Sequence, residues 1–153
     1  MKKSKIVDKG FGTKPKKSLV FTGTLTYPKG DTYDGDLKSE ENPIPHGYGK
    51  HEATNGDIHV GEWKDGKLNG QATYSSLEDS KTNEKHFYKG EWKDNMKHGK
   101  GFYRIINLKT VKAQTYDGEW AFDEYDGKGT TTTFDGEILK GIWKKSKLIK
   151  EIK

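Results

Sequence analysis

The sequence predicts an all-β fold, an elongated single-layer twisted antiparallel sheet of about five stacked β-hairpins. Three observations predict it. Glycines and aromatic residues recur on a unit of 23 residues. Side chains within the unit alternate with period two, the signature of a strand with one covered face. Rings rather than aliphatic side chains supply the apolar surface: Leu, Ile, Val and Phe number only 27 of 153 residues, too few to fill a two-layer interior. A disordered chain is excluded as well, because the net charge is only +5 and four Trp, eight Tyr and six Phe are present.

The first strand of each unit is set by an aromatic-x-Gly-acid-apolar pattern. It is read in Tyr33-Asp34-Gly35-Asp36-Leu37, His59-Val60-Gly61-Glu62-Trp63, Tyr88-Lys89-Gly90-Glu91-Trp92 and Tyr116-Asp117-Gly118-Glu119-Trp120. A fifth copy, Leu139-Lys140-Gly141-Ile142-Trp143, keeps the glycine and the tryptophan. Tyr88, Gly90 and Trp92 point one way, and Lys89, Glu91 and Lys93 the other. Turns of six residues follow, Lys64–Asn69 and Lys93–His98, in which Asp-Gly and Asp-Asn tolerate positive φ. The second strand opens on a pair seven residues after Trp63, Trp92 and Trp120, namely Gly70/Ala72, Gly99/Gly101 and Gly127/Gly129. After Leu37 the distance is ten, so Ser39–Pro45 holds an insertion.

Connections between units are equally regular. Gly23, Gly49 and Gly129 are followed after seven residues by Gly30, Gly56 and Gly136, and five later by Gly35, Gly61 and Gly141. Two connections are longer, with insertions inside Ser75–Phe87 and Arg104–Thr115. In the second, Ile105, Ile106, Leu108 and Val111 either extend a hairpin or offer a sticky site, and extension is the favoured reading. Inward glycine marks the close approach of another group. The ring of a Tyr or Trp settling over a neighbour's bare backbone lets one layer bury area without a second. The stacking residues are Tyr33, Gly35, Gly61, Trp63, Tyr88, Gly90, Trp92, Tyr116, Gly118, Trp120, Gly141 and Trp143. A single such unit cannot cover its own face, so several must stack.

These motifs resemble the MORN repeat (membrane occupation and recognition nexus). The resemblance spans roughly residues 20–145. Asn95 and Asp123 stand where the family places a turn glycine, and His59 and Ala72 where it places Tyr and Gly. It implies stacked antiparallel hairpins and a structural, interaction or membrane-associated role. It also implies cytoskeletal assemblies, cilia and the axoneme among them, as a setting.

Charge divides the chain into three expected parts: a basic tail over 1–19, the repeat domain over 20–145, and a basic tail over 146–153. Residues 1–17 carry seven Lys against one Asp, and residues 140–153 six Lys against one Glu. Lys14, Lys16, Lys17, Lys144, Lys145 and Lys147 are therefore the candidates for docking acidic partners, such as the surface of tubulin. Leu148, Ile149 and Ile152 share one face if the last segment is helical, a weak amphipathic anchor.

The pattern does not suggest an enzyme. With no Cys, a thiolate nucleophile or disulfide framework is excluded. The five His lack metal-ligand spacing, and His59, in a tyrosine row, reads as a stacking residue. The recurring acids Asp36, Glu62, Glu91 and Glu119 read as a solvated outer face rather than a cation site. No cofactor and no metal are expected, and no apolar run has the length of a membrane span. The expectation is an intracellular, cytoplasmic protein acting as a non-catalytic scaffold within a larger assembly. Peripheral binding to anionic phospholipid is the alternative, and nucleic acid ranks last.

Overall fold

Where rings alternate with charges, the chain runs straight and pairs with the stretch before it. The computed structural model describes residues 21–152. Its strands are β1 (Phe21–Thr26), β2 (Thr32–Leu37), β3 (Pro45–Glu52), β4 (Ile58–Lys64), β5 (Lys67–Ser75), β6 (Glu84–Lys93), β7 (Met96–Asn107), β8 (Lys112–Ala121), β9 (Glu124–Thr132), β10 (Ile138–Lys144) and β11 (Lys147–Glu151). Together they make one open antiparallel meander in chain order, the sheet expected from the repeats.

The register places the glycines in a single column across the sheet. Gly23, Gly35, Gly49, Gly61, Ala72, Gly90, Gly101, Gly118, Gly129 and Gly141 face one another strand by strand. Two residues along, a second row runs Leu25, Tyr33, His51, His59, Tyr74, Tyr88, Tyr103, Tyr116, Thr131 and Leu139. Rings of the second row lean over the glycine column. A Cβ at Gly49, Gly101 or Gly129 would overlap the ring of Tyr33, Tyr88 or Tyr116. Those three tyrosines are fully buried in a sheet that has only one layer.

Each covering ring is also pinned by hydrogen bonds. The hydroxyls of Tyr33, Tyr88 and Tyr116 donate to the carbonyls of Asp36, Glu91 and Glu119, each at 2.9 Å. Nε1 of Trp63, Trp92, Trp120 and Trp143 donates to the carbonyls of Gly49, Ala72, Gly101 and Gly129 at 3.0–3.3 Å. The tryptophans stand edge-on to the tyrosines, with Tyr33–Trp63, Tyr88–Trp120 and Tyr116–Trp143 at 80°, 84° and 86°, the arrangement ring quadrupoles favour. Polar tips are thus satisfied where aromatic bodies are buried.

Two expectations are corrected and a third is met. The six-residue turns are two-residue turns, because pairing continues to Lys64–Lys67 and Lys93–Met96. Asp65-Gly66, Asp94-Asn95, Phe122-Asp123 and Lys145-Ser146 all have positive φ at both residues, as in the primed turns that match strand twist. The segment 146–153 is not simply a basic tail, and its helical face does not form. Residues 147–151 are strand β11, paired with β10, and Leu148 packs against the core. The favoured reading of the insertion at 104–115 holds: it extends the β7–β8 hairpin, with Ile105 opposite Gln114 and Ile106 opposite Ala113. Leu108 and Val111 fall in its turn and stay exposed. Lys14, Lys16 and Lys17 lie outside the described residues.

Candidate functional site

Four acidic residues are the first surprise on the outer face. Between Gly90 and Trp92 on β6, the partner strand β7 advances from Gly101 to Lys97, so β7 bulges. A bulge leaves ladder groups unpaired, and the Lys100 amide is one of them. The Glu91 carboxylate accepts it at 2.9 Å. The same clamp recurs from Tyr48 to Asp36 at 2.8 Å, Gln71 to Glu62 at 2.8 Å and Lys128 to Glu119 at 2.6 Å. The row read as solvated is therefore structural. Gly99 sits under the Glu91 carboxylate with φ +59°, a conformation and a closeness that favour glycine. In the fifth hairpin Ile142 replaces the acid, and there the bulge is smaller.

The turns that lack the family's glycine carry a second set of stitches. The Asn95 amide donates to the Leu68 carbonyl at 3.1 Å while its Oδ1 accepts the Leu68 amide at 2.8 Å. Asp123 makes the same pair of bonds with Lys97, and Ser146 with Tyr125. Gly66, with no side chain, makes only the first kind of bond, to Pro45.

Leu68, Lys97, Tyr125 and Leu148 follow these turns in equivalent places and fill the ring-lined face. Tyr125 stacks on Tyr116 at 3.7 Å and 4°. Burial pushes its hydroxyl pKa up to about 12. The Lys97 ammonium lies 5.3–5.7 Å from the rings of Tyr88, Tyr103 and Trp120 and 3.8 Å from Asp123. Burial lowers its pKa, and Asp123 opposes that shift.

Leu68 is shorter than Lys97 or Tyr125, and beside it the ring row reads His51–His59 instead of Tyr–Tyr. A cleft of about 570 Å³ opens there, lined by Tyr27, His51, His59, Trp63 and Leu68, with Lys29 and Asp31 on its wall. The His59 ring contacts Tyr74, Trp92 and His51 at 4.9, 5.8 and 6.0 Å, the stacking role its row suggested. Burial holds its pKa below the ordinary value, and His51 adds to this. Asp31 is held charged chiefly by the Thr54 amide at 3.0 Å.

A smaller cavity of about 330 Å³ adjoins it, lined by His59, Tyr74, His86, Trp92, Lys97 and Tyr103. His86 Nδ1 lies 2.6 Å from the Tyr103 hydroxyl, and Nε2 lies 4.0 Å from Glu84. Burial and Glu84 raise the Tyr103 pKa, the wrong direction for a nucleophile or base near neutrality. Among the described residues no group of three His, Asp or Glu side chains could hold a metal ion, and no helix is long and apolar enough to cross a membrane.

The predicted stacking residues come together on this face. Trp63, Trp92, Trp120 and Trp143 are buried beside the three tyrosines, and Gly35, Gly61, Gly90, Gly118 and Gly141 lie in the column. Lys144 pairs with Asp126 at 2.9 Å, while Lys145 and Lys147 are exposed beside it.

A family model described as the MORN repeat matches residues 44–58, 59–76, 88–107 and 116–138. Alsin from Rattus norvegicus and from Homo sapiens are each 31% identical to the chain over 127 residues, covering 79% of it. The matched region is 7% of each of those relatives.

Proposed function

Because the chain belongs to the MORN repeat family, we propose that it is a non-catalytic structural and protein-interaction module, a small component or adaptor of a larger cytoskeletal assembly, ciliary or axonemal in setting. The observation that carries this reading is the cleft at His51 and His59. At the equivalent places Lys97 and Tyr125 lie against the rings, whereas here the described residues enclose a larger aromatic-walled hollow of about 570 Å³. It has the size and apolar lining of a recognition site and no activated group. Side chains of a partner protein complete the row that Tyr125 completes two hairpins later. The exposed Lys145 and Lys147, with Lys14, Lys16 and Lys17, add attraction for acidic partners.

Cross-linking in native extracts, followed by mass spectrometry, tests the proposal. Cross-links from the cleft rim, at Lys29, to subunits of one cytoskeletal complex support it. Salt-sensitive pelleting with anionic but not neutral vesicles, without any protein complex, would replace it with the phospholipid reading.

A further inference from the structure

The face opposite the rings carries a pattern that the fold does not use. On β6 Lys85, Phe87 and Lys89 are exposed, and on β7 Lys100, Phe102 and Arg104. The register sets Phe87 against Arg104 and Lys89 against Phe102. Cations and rings therefore alternate both along each strand, about 6.7 Å apart, and across the pair, about 4.8 Å apart. Both phenylalanines remain 36% exposed, unlike the buried rings behind them. Among the described residues, none of the four cations has an ion-pair partner. Glu91, on the same strand pair, is bonded to the Lys100 amide. Toward β5 the patch meets neutral Thr73 and Ser75, which face Lys89 and Phe87. Toward β8 it meets Asp117 and Glu119, which face Phe102 and Lys100.

We propose that this chequerboard of Lys85, Lys89, Lys100 and Arg104 around Phe87 and Phe102 is a second docking surface, and that its partner is an extended acidic protein segment bearing aromatic residues. The partner's carboxylates meet the cations and its rings lie on the phenylalanines. Charge complementarity selects an anion, and the alternation selects one whose charged and apolar side chains also alternate. Glu91 within the patch and Asp117 along its border discriminate further. A polyphosphate chain or a charged bilayer presents anions throughout and meets these carboxylates, whereas a peptide can set neutral residues against them. The surface is distinct from the cleft and rests on the module reading only in taking the partner to be a protein.

Fluorescence anisotropy of the full chain with a labelled peptide alternating Glu and Tyr is the test. Binding should weaken with salt and fall about tenfold, some 1.4 kcal/mol, in the Lys89→Glu/Arg104→Glu variant. It should weaken also in Phe87→Ser/Phe102→Ser, with unfolding midpoints showing that both variants stay folded. A peptide alternating Lys and Tyr should not bind. Peptide binding that is absent, or unchanged in both variants, overturns the proposal. So does stronger, variant-sensitive binding of phosphatidylserine vesicles or a single-stranded oligonucleotide. Cross-linking of the same variants separates this surface from the module reading. An assembly that still holds them, with peptide binding lost, leaves both in place through different surfaces. A wild-type chain that binds the peptide but joins no complex removes only the module reading.

Discussion

The ring of Tyr88 lies over the Cα of Gly101, one strand away, so closely that no Cβ fits between them. From there the Tyr88 hydroxyl reaches back to the Glu91 carbonyl at 2.9 Å. Tyr33 and Tyr116 repeat the relationship with Gly49 and Gly129. A fully buried tyrosine in a one-layer sheet is the consequence, and each such ring withdraws about 150–250 Å² from water.

Gly101→Ala should therefore be costly despite its small size. Its methyl group meets Tyr88, which has no free space to retreat into. Overpacking costs about 1–3 kcal/mol, and loss of the hydroxyl bond adds about 1. Gly136→Ala is the control: its φ is +86° but nothing lies within contact distance of the new methyl, so only backbone strain of about 1–2 kcal/mol is expected. Urea unfolding of the two variants checks the difference.

Glu91→Ala should destabilise by about 1–2 kcal/mol, since the Lys100 amide in the bulge loses its acceptor. Glu91→Gln keeps an acceptor and should lose less. Equal effects, or none, in chemical denaturation would return the acid row to the solvated role that its outward position suggested.

That row shows where the sequence stops being legible. Spacing alone located the glycine column, the strand alternation and the burial of Tyr88, Trp92 and Trp120, because a period of two fixes which residues share a face. Spacing could not show that Glu91 folds over a bulge, since a bulge is a property of two strands in register and not of either alone. The signal was present in the invariant order of acid, turn and positive-φ glycine, seen in Glu62 with Gly70 and Glu119 with Gly127. The cleft was legible only as one departure from the repeat, His59 in a tyrosine row, and its openness depends also on His51 and Leu68, which line it from neighbouring strands. The patch around Phe87 and Phe102 is hidden in the sequence because its rings and cations come together only when β6 and β7 pair in register.

Stability should fall as the pH drops from about 7.5 to about 5. Burial holds the His59 pKa in the folded chain below its unfolded value, so the unfolded chain takes the proton first. The stability linked to this group is whole above the unfolded value and is lost as pH falls through that value toward the folded one. Asp31, Asp65 and Asp135 are shifted downward as well, and act below this window. Thermal unfolding across the range should show the slope in the wild type and a flatter curve in His59→Gln. An equal slope in both would assign the effect elsewhere.

The pair His59 and Ala72 tests the central claim, that rings covering bare backbone hold a single layer together. His59 stands in the row of Tyr88, and Ala72 in the column of Gly101, so a smaller ring coincides with the one methyl in the column. The measurement is a double-mutant cycle in urea. His59→Tyr alone should destabilise by about 1–3 kcal/mol, because its ring meets the Ala72 methyl, and Ala72→Gly alone by about 1. The double variant should recover much of the loss, with a coupling energy of about 1–2 kcal/mol. Effects that add to within about 0.5 kcal/mol would contradict the account, because ring and column would then be independent.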